Sequence, residues 1–435
     1  MFKTLRNAWA QPELRQKLLY VAFIVILYRI GCSIPVPYLD ASVYDGIMQM
    51  GTGSIFEYMS LISGSAFSQA TLFALSISPY INSSIIMQLL CVAIPALENM
   101  SKEEDGRKKI NQITRVVTIA IALVTSYGYY MYLRNYGFLT DNGPFAAIVI
   151  IACYTAGSAL IMWLGEKIND NGIGNGISII LFVNIVSSAP STITGLFSRI
   201  VSGSVAGIVS AILIVIIAIA MVFFIIFITH SERRIPIQYA KRQVGRKMYG
   251  GQNSNLPLKL NMSGVMPVIF ANSILALPST IMMIVNPEPE EGTFWYGFQQ
   301  LFSYQSWLYA VLFLVLIIAF SYFYIAISFN PIEVSNNLKK NGGNIPGIRP
   351  GKPTSDYITK ILNKVTLMGA FFLAGVAVLP LVANIIINIV TKGTQNLAEV
   401  AFAGTSIIIV VGVALETYRE LEAQMTMRHY KGFLE

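Results

Sequence analysis

The side chains that usually carry chemistry are few in these 435 residues, and none of them fall in catalytic spacing. The only histidines, His230 and His429, stand far apart at the polar ends of apolar runs and form no ligand cluster. Cys32, Cys91 and Cys153 lack the short paired spacing of a zinc site and read as packing residues, with no disulfide framework. The run Gly347-Ile-Arg-Pro-Gly351-Lys352-Pro353 imitates a phosphate-binding loop. It is one residue short between the glycines, and Pro353 stands where a magnesium-binding hydroxyl is needed, so energy from ATP must come from a partner. An intramembrane protease would need paired aspartates or a zinc motif, and a pump would need buried carboxylates; the apolar runs hold neither. No enzyme, cofactor or metal site is expected.

The elements that would position any site are membrane spans. Hydrophobic residues make up 54% of the chain and charged residues 12%, with mean hydropathy +0.61, whereas soluble domains carry about 25% charged residues. Crossing an apolar core of about 30 Å takes about 20 helical residues. Ten candidate runs cover approximately 18–34, 72–94, 116–133, 145–164, 173–189, 205–229, 264–285, 307–329, 365–390 and 400–415. Nine contain no Asp, Glu, Lys or Arg, although a single central charge would cost only about 2.5 to 3.5 kcal/mol. The exception is Arg29, which lies near the end of the first run, where snorkelling or an interhelical hydrogen bond would satisfy it. That first run follows Lys3, Arg6, Arg15 and Lys17 as a secretory signal would, but no small-x-small cleavage site follows it, so a retained helix is expected. Placing both termini in the cytosol puts 26 of the 30 Lys and Arg on the cytosolic side, as the positive-inside rule requires. The net charge of +8 is thus a partition between two sides and not a nucleic-acid signature.

Five runs precede the segment 190–204 and five follow it. An odd number in each half makes related halves sit upside down relative to one another, with a pathway at their interface. The expected division is 1–189, a connection at 190–204, and 205–435. The segment 35–71 has no Lys or Arg and contains Ile55-Phe-Glu-Tyr-Met-Ser-Leu-Ile-Ser-Gly-Ser-Ala-Phe67, too short to span. Either it dips into a cavity, where irregular backbone is tolerated at membrane depth, or it lies on the outer surface. Two cytosolic loops are basic. One, 230–263, carries Arg233, Arg234, Lys241, Arg242, Arg246 and Lys247; the other, 330–364, carries Lys339, Lys340, Arg349 and Lys352 among several glycines. They suit an acidic partner such as ribosomal RNA, or equally the attraction of about 1 kcal/mol per cation to anionic lipid.

Within the runs the polar residues are uncharged: Asn82, Ser83, Ser84 and Gln88 in the second, Asn184 in the fifth, Asn272 and Ser273 in the seventh, Asn384 and Asn388 in the ninth. Interhelical hydrogen bonding explains most of them. Pro79 is expected to kink the second span; Pro267 falls in the first turn of the seventh, with Pro278 further on.

Several strings, in order along the chain, resemble the bacterial SecY family. They are Tyr28-Arg-Ile-Gly31 with Ile34-Pro-Val-Pro37, Phe73-Ala-Leu-Ser-Ile-Ser-Pro-Tyr-Ile81, Trp163-Leu-Gly-Glu166, Gly172-Ile-Gly-Asn-Gly-Ile-Ser178, Tyr239-Ala-Lys-Arg242, Leu256-Pro-Leu-Lys259, Phe329-Asn-Pro331, Asn337-Leu-Lys-Lys340, Pro346-Gly-Ile-Arg-Pro-Gly351 and Gly404-Thr-Ser406. The resemblance implies an all-α integral membrane protein with ten transmembrane helices, in two inverted five-helix halves around a central hourglass pore. It implies a waist of Ile77, Ile81, Ile177, Leu181, Ile269 and Ile409, with Leu at one position where isoleucine is common. Such a ring dewets and blocks ions, yet deforms around any polypeptide.

The resemblance also implies a plug near 60–69, comprising Ser60, Leu61, Ile62, Ser63, Gly64, Ser65, Ala66 and Phe67, held by small, weak contacts so that it can leave. It further implies a lateral gate of the second and third spans against the seventh and eighth, with Gln88 facing Asn272 or Ser273 as a polar latch. The implied partners are the small membrane subunits SecE and SecG, the motor ATPase SecA, the ribosome, signal-bearing polypeptides and membrane lipid. Lys241, Arg242 and Arg349 would lead the docking, in a bacterial plasma membrane. A secondary transporter of a small solute, also built from inverted repeats, stays open as the alternative; its midplane site would have to be made of Asn and carbonyl oxygens.

Overall fold

The computed structural model describes residues 2–40, 63–64, 66–201, 205–239, 242–244, 247–249, 253–285, 292–302, 306–390 and 398–431. Helices dominate. In chain order they are α1 (Phe2–Ala10), α2 (Pro12–Gly31), α3 (Ser78–Ala93), α4 (Pro95–Lys102), α5 (Glu104–Asn135), α6 (Pro144–Asn171), α7 (Gly176–Val201), α8 (Val205–His230), α9 (Met266–Val285), α10 (Phe294–Leu301), α11 (Trp307–Ser328), α12 (Pro331–Lys340), α13 (Lys352–Val390) and α14 (Ala398–Lys431). Among the described residues five helices are long and apolar enough to cross a membrane: Glu104–Asn135, Pro144–Asn171, Gly176–Ser198, Trp307–Lys340 and Lys352–Ile386. The pair Ser78–Ala93 and Pro95–Lys102, bent by 105°, would together make a sixth.

Prolines mark helix starts more than kinks, since a missing N–H costs nothing in a first turn. Pro12, Pro79, Pro95, Pro144 and Pro331 all sit there. Pro79 therefore does not kink the second span as expected; it begins the helix. The preceding residues 72–77 are turns, with Ser76 in the left-handed region at φ +52°. This turn segment is tied back to the first span by Leu72 N–H donating to the Ile34 carbonyl at 2.9 Å and by a bridge between Pro35 and Thr71. Within the expected connection 190–204, α7 continues through Pro190 to Val201.

The core is one large aliphatic cluster drawn from α2, α3, α6, α7, α8, α9, α11, α13 and α14. Helices α5 and α6 pack together, α13 packs against both α11 and α14, and α9 packs against α3, α5 and α11. A second, aromatic cluster gathers Tyr129, Tyr130 and Tyr132 of α5 and Tyr154 of α6 around Phe67.

The two basic loops are joined. Strands β1 (Glu232–Tyr239), β2 (Arg242–Val244), β3 (Lys247–Tyr249) and β4 (Asn253–Lys259) come from the first, and β5 (Gly343–Asn344) comes from the second. The sheet order is β4-β1-β5, with β2 and β3 as a separate antiparallel pair. Register is set by Ile235↔Leu256 and Ile237↔Ser254 on one side of β1, and by Gln238↔Asn344 and Tyr239↔Gly343 on the other. Ile235 and Ile237 alternate with exposed Arg234 and Gln238 and bury against Leu258, Leu338, Ile345 and Ile358.

Candidate functional site: an aliphatic cavity and the segment beneath it

Four of the six expected ring residues meet at one place. Ile81 of α3, Leu181 of α7, Ile269 of α9 and Ile409 of α14 line a cavity of about 380 Å³. Helices distant in sequence thus contribute aliphatic side chains to a shared wall, α5 among them through Ile121 and Val124, and none of the residues lining it is charged. Ile77 and Ile177 are placed differently. Ile77 is completely buried, with its Cδ1 packed near Gly165 of α6, while Ile177 is half-buried against the core.

The turn between α6 and α7 sets the position of Ile177 and Leu181. Gly174 takes φ +87°, and Asn169 Oδ1 accepts from the Gly176 N–H at 2.7 Å. Asn175 Oδ1 accepts from the Ile177 N–H at 3.1 Å, capping the new helix. A Cβ on Gly176 would lie 2.0 Å from the Gly165 carbonyl oxygen, so the glycine-rich string is a close-approach device. Asn184, one turn beyond Leu181, donates from Nδ2 to Ser76 Oγ at 3.1 Å and so fixes the strained residue just before Ile77.

Ser60, Leu61, Ile62 and Ser65 of the expected plug lie outside the described residues; Ser63, Gly64, Ala66 and Phe67 do not. Gly64, at φ +62°, fits beneath α2 and α7: a Cβ there would lie 2.6 Å from Ser187 Oγ and 3.1 Å from Arg29 Nη1. Arg29 donates to Ser187 Oγ at 3.1 Å, so an interhelical hydrogen bond does satisfy it.

The expected weakness of anchoring does not hold at this end of the segment. Ser63, Ala66, Phe67 and Ser68 are buried, and Ser63 Oγ accepts from the Phe67 N–H at 2.9 Å. Tyr129 Oη donates to the Phe67 carbonyl at 2.6 Å while its ring sits 4.5 Å from the Phe67 ring, and Tyr154 Oη donates to the Ala70 carbonyl at 3.3 Å. Composition misled here because small side chains leave the backbone open to capture by neighbouring hydroxyls. Tyr129→Phe is expected to cost about 0.5–1.5 kcal/mol, the net worth of one hydrogen bond, because the Phe67 carbonyl keeps the Ala70 N–H at 3.1 Å. Thiol labelling of a cysteine introduced by Ala66→Cys should rise in the Tyr129→Phe background; unchanged labelling would show that the hydroxyl holds nothing.

The latch residues are not brought together as expected. Asn272 and Ser273 of α9 line the aliphatic cavity, and the polar α3 residues that share it are Ser78 and Asn82. Gln88 lies farther along α3, donates to Ser84 Oγ at 3.2 Å, and borders a separate cavity with Phe323, Phe329 and Asn330. The difference is helical phase: Asn82 and Gln88 are six residues apart in sequence, which turns them to different faces.

On the basic loops, Arg233, Lys339, Lys340, Arg349 and Lys352 are exposed, and Arg234 pairs with Glu232 at 2.6 Å. Arg242 and Lys247 belong to β2 and β3, whereas Lys241 and Arg246 lie outside the described residues. Arg349 is presented by a pinned turn: Thr354 Oγ1 donates to its carbonyl at 2.8 Å, Ser335 Oγ donates to the Gly351 carbonyl at 2.7 Å, and Gly347 and Gly351 take φ +78° and +101°. Nearby, burial holds Lys259 below the usual lysine range, and the Arg419 guanidinium adds to that effect. Arg419 also donates to the Thr229 carbonyl, tying α14 to the end of α8.

One pair escaped the sequence reading. Arg115 at the base of α5 grips Glu166 of α6 with two contacts of 2.9 Å, Nε to Oε1 and Nη2 to Oε2. The carboxylate is largely covered and the guanidinium half-exposed, so solvent screens the pair. Glu166→Gln is expected to lower stability by up to about 1 kcal/mol. A thermal melt in lipid nanodiscs unchanged by Glu166→Gln would show that the pair contributes nothing.

Helices apolar enough to cross a membrane, packed around a cavity that no charged residue lines, define a helical membrane protein. A model of the SecY family matches residues 71–418. The chain is 39% identical to protein translocase subunit SecY of Streptomyces coelicolor over the whole of both chains, and 38% identical to that of Corynebacterium glutamicum over 99% of each. Among solved structures it resembles one described as a protein conducting channel, with TM-score 0.66 and 18% identity over 94% of this chain and 92% of that one. Sec61 in the canine ribosome-channel complex follows with TM-score 0.62, 18% identity and the same coverage. The chain belongs to the SecY family. Its function is that of a protein translocase subunit, and the small-solute alternative falls away.

Proposed function

We propose that the aliphatic cavity is the closed waist of a pore through which unfolded secretory polypeptides cross the bacterial plasma membrane, and from which apolar segments leave sideways into lipid. The observation that carries this reading is the convergence of Ile81, Leu181, Ile269 and Ile409, from four helices, on one uncharged cavity. A dry constriction resists ions while reading no sequence in the chain it admits. Each of the ten apolar runs overlaps one of the helices α2, α3, α5, α6, α7, α8, α9, α11, α13 and α14, which supports ten spans in two inverted halves, 1–189 and 205–435, around an hourglass. Excess positive charge on one side supports cytosolic termini.

The packing of α9 on α3 and α5 supports a lateral gate between these helices, with Ser78 and Asn82 opposite Asn272 and Ser273 as its polar seam. Residues 60–69 are the plug, of which Ser63, Ala66, Phe67 and Ser68 are buried. The exposed cations Arg233, Lys339, Lys340, Arg349 and Lys352 dock the motor SecA or a ribosome, and SecE and SecG complete the assembly. The likeness to Sec61 in a ribosome-channel complex, and to a yeast Ssh1 complex bound to the 80S ribosome, supports the ribosomal partner. The channel is passive, and its energy comes from the docked partner.

Reconstitution with the small subunits, the motor, ATP and a signal-bearing precursor tests the reading. Protease-protected precursor is expected. Its absence, where a control channel in the same vesicles protects it, would overturn the proposal.

A further inference from the structure

At the end of the bundle away from the sheet, α9 and α11 are connected through α10, an eight-residue helix of sequence Phe-Trp-Tyr-Gly-Phe-Gln-Gln-Leu. Phe294, Phe298 and Leu301 recur at helical spacing on one face and border an open groove that Trp307 closes at the head of α11. Phe294 is 77% exposed, Trp307 51% and Leu301 47%, values matched by side chains on the outward faces of the long apolar helices, such as Phe223 at 77% and Val311 at 55%. The helix is held in shape from within: the Phe298 and Phe302 rings lie 4.9 Å apart, Trp295 and Phe298 6.2 Å, and Phe302 packs on the main core. From Gly292 to Ser306 the sequence contains no charged residue.

We infer that α10 is an interfacial anchor whose Phe294, Phe298 and Leu301 face docks into the headgroup–acyl boundary of the bilayer, holding the ends of α9 and α11 at that depth. The occupant is phospholipid, and continuity says so. The groove ends on Trp307, which begins the exposed apolar stripe Trp307, Val311 and Val315 of α11, whose outward face meets acyl chains if that helix crosses the membrane. Tryptophan and tyrosine concentrate at the level of the headgroups, where an apolar ring and a polar edge are both satisfied. Trp295, Tyr296 and Trp307 supply both, with Tyr296 Oη accepting from Gln300 Nε2 at 3.3 Å. An amphipathic helix of this kind sinks about 5–10 Å into the boundary.

The inference rests on α11 being a span, and the experiment separates the two. In the full channel complex, Trp9, Trp163, Trp295 and Trp307 are changed to Phe and a single reporter is introduced by Phe294→Trp or, separately, by Val315→Trp. The proteoliposomes are phosphatidylethanolamine and phosphatidylglycerol doped with phosphatidylcholine brominated either near the glycerol or near the chain ends. The reporter at 294 is expected to lose roughly half its emission to the shallow bromines, less to the deep ones, and little to aqueous iodide. The reporter at 315 should favour the deep bromines; quenching there by neither lipid would mean that the span reading has failed.

Strong iodide quenching at 294 without lipid quenching would overturn the anchor, since the helix would stand in water. Quenching by neither agent would also overturn it, since a protein surface would then cover the face. Benzoylphenylalanine in place of Phe294, in an otherwise native chain, reads the same face without the tryptophan replacements. A lipid adduct supports the anchor, and a protein adduct overturns it.

Discussion

Ile81→Asn should raise resting ion conductance through the reconstituted channel by roughly ten- to a hundredfold. Ile81 is almost fully buried and shares the cavity wall with Leu181, Ile269 and Ile409, so an amide there puts a group able to hold water among the aliphatic side chains. Keeping an amide unhydrated in such a site costs about 1–3 kcal/mol, and that penalty now favours the wetted state. Each 1.36 kcal/mol is a factor of ten, which sets the range. Ile77→Asn is the informative comparison. Ile77 faces Gly165 instead of the cavity, so its substitution should destabilise the fold without a matching rise in current. Planar-bilayer recordings on protein shown to be inserted check both, and equal currents from native and Ile81→Asn channels would remove Ile81 from the seal.

The second large effect is steric. Gly157 of α6 lies against the turn segment that leads to Ile77: a Cβ there would stand 2.1 Å from the Leu72 carbonyl oxygen. The backbone around it is held, with the Leu72 N–H bonded to Ile34 and the neighbouring Thr71 N–H to the Ala66 carbonyl, so little room is left for that oxygen to move. A single methyl must therefore push α6 away from the segment, so Gly157→Ala is expected to cost about 1–3 kcal/mol and to lower the melting temperature of the nanodisc-embedded protein. Gly375 of α13 provides the opposite sign. Nothing lies within 4 Å of a Cβ there, so Gly375→Ala should be neutral or stabilise by up to about 1 kcal/mol through helix propensity. A pair of melts in which both substitutions behave alike would refute the close approach at Gly157.

What could be read from the chain followed the range of the forces involved. The helices were legible because burial in lipid demands long uncharged runs, and each run has a helix over it. Their boundaries were less so: the second run was read from 72, but the helix waits for Ser78, because Ser76 takes a left-handed conformation held by its contact with Asn184 and by its N–H bond to Phe73. Four of the six expected ring residues face the same cavity, whereas Ile77 and Ile177 needed side-chain directions that no motif carries. The grip on Phe67 and Ala70 by Tyr129 and Tyr154 was invisible because the partners lie 62 and 84 residues apart. The strands were missed for a different reason. Their signal was present in the alternation of Arg234, Ile235, Pro236, Ile237 and Gln238, but Pro236 argues against a central strand. The structure accommodates it because β5 pairs only with Gln238 and Tyr239, leaving Pro236 to face β4 alone.

That small sheet has a mechanical meaning. Because β1 is clasped by β4 of its own loop and by β5 of the other, and Ile235, Ile237 and Leu258 share a core with Leu338, Ile345 and Ile358, the two loops make a single stiff handle. The handle is continuous with α8 at one root and with α13 at another, and Arg419 laces α14 to the first of these. The turn that carries the exposed Arg349 lies between β5 and α13 and is bonded to α12 through Ser335, so a load applied there would reach the sheet and both helices together.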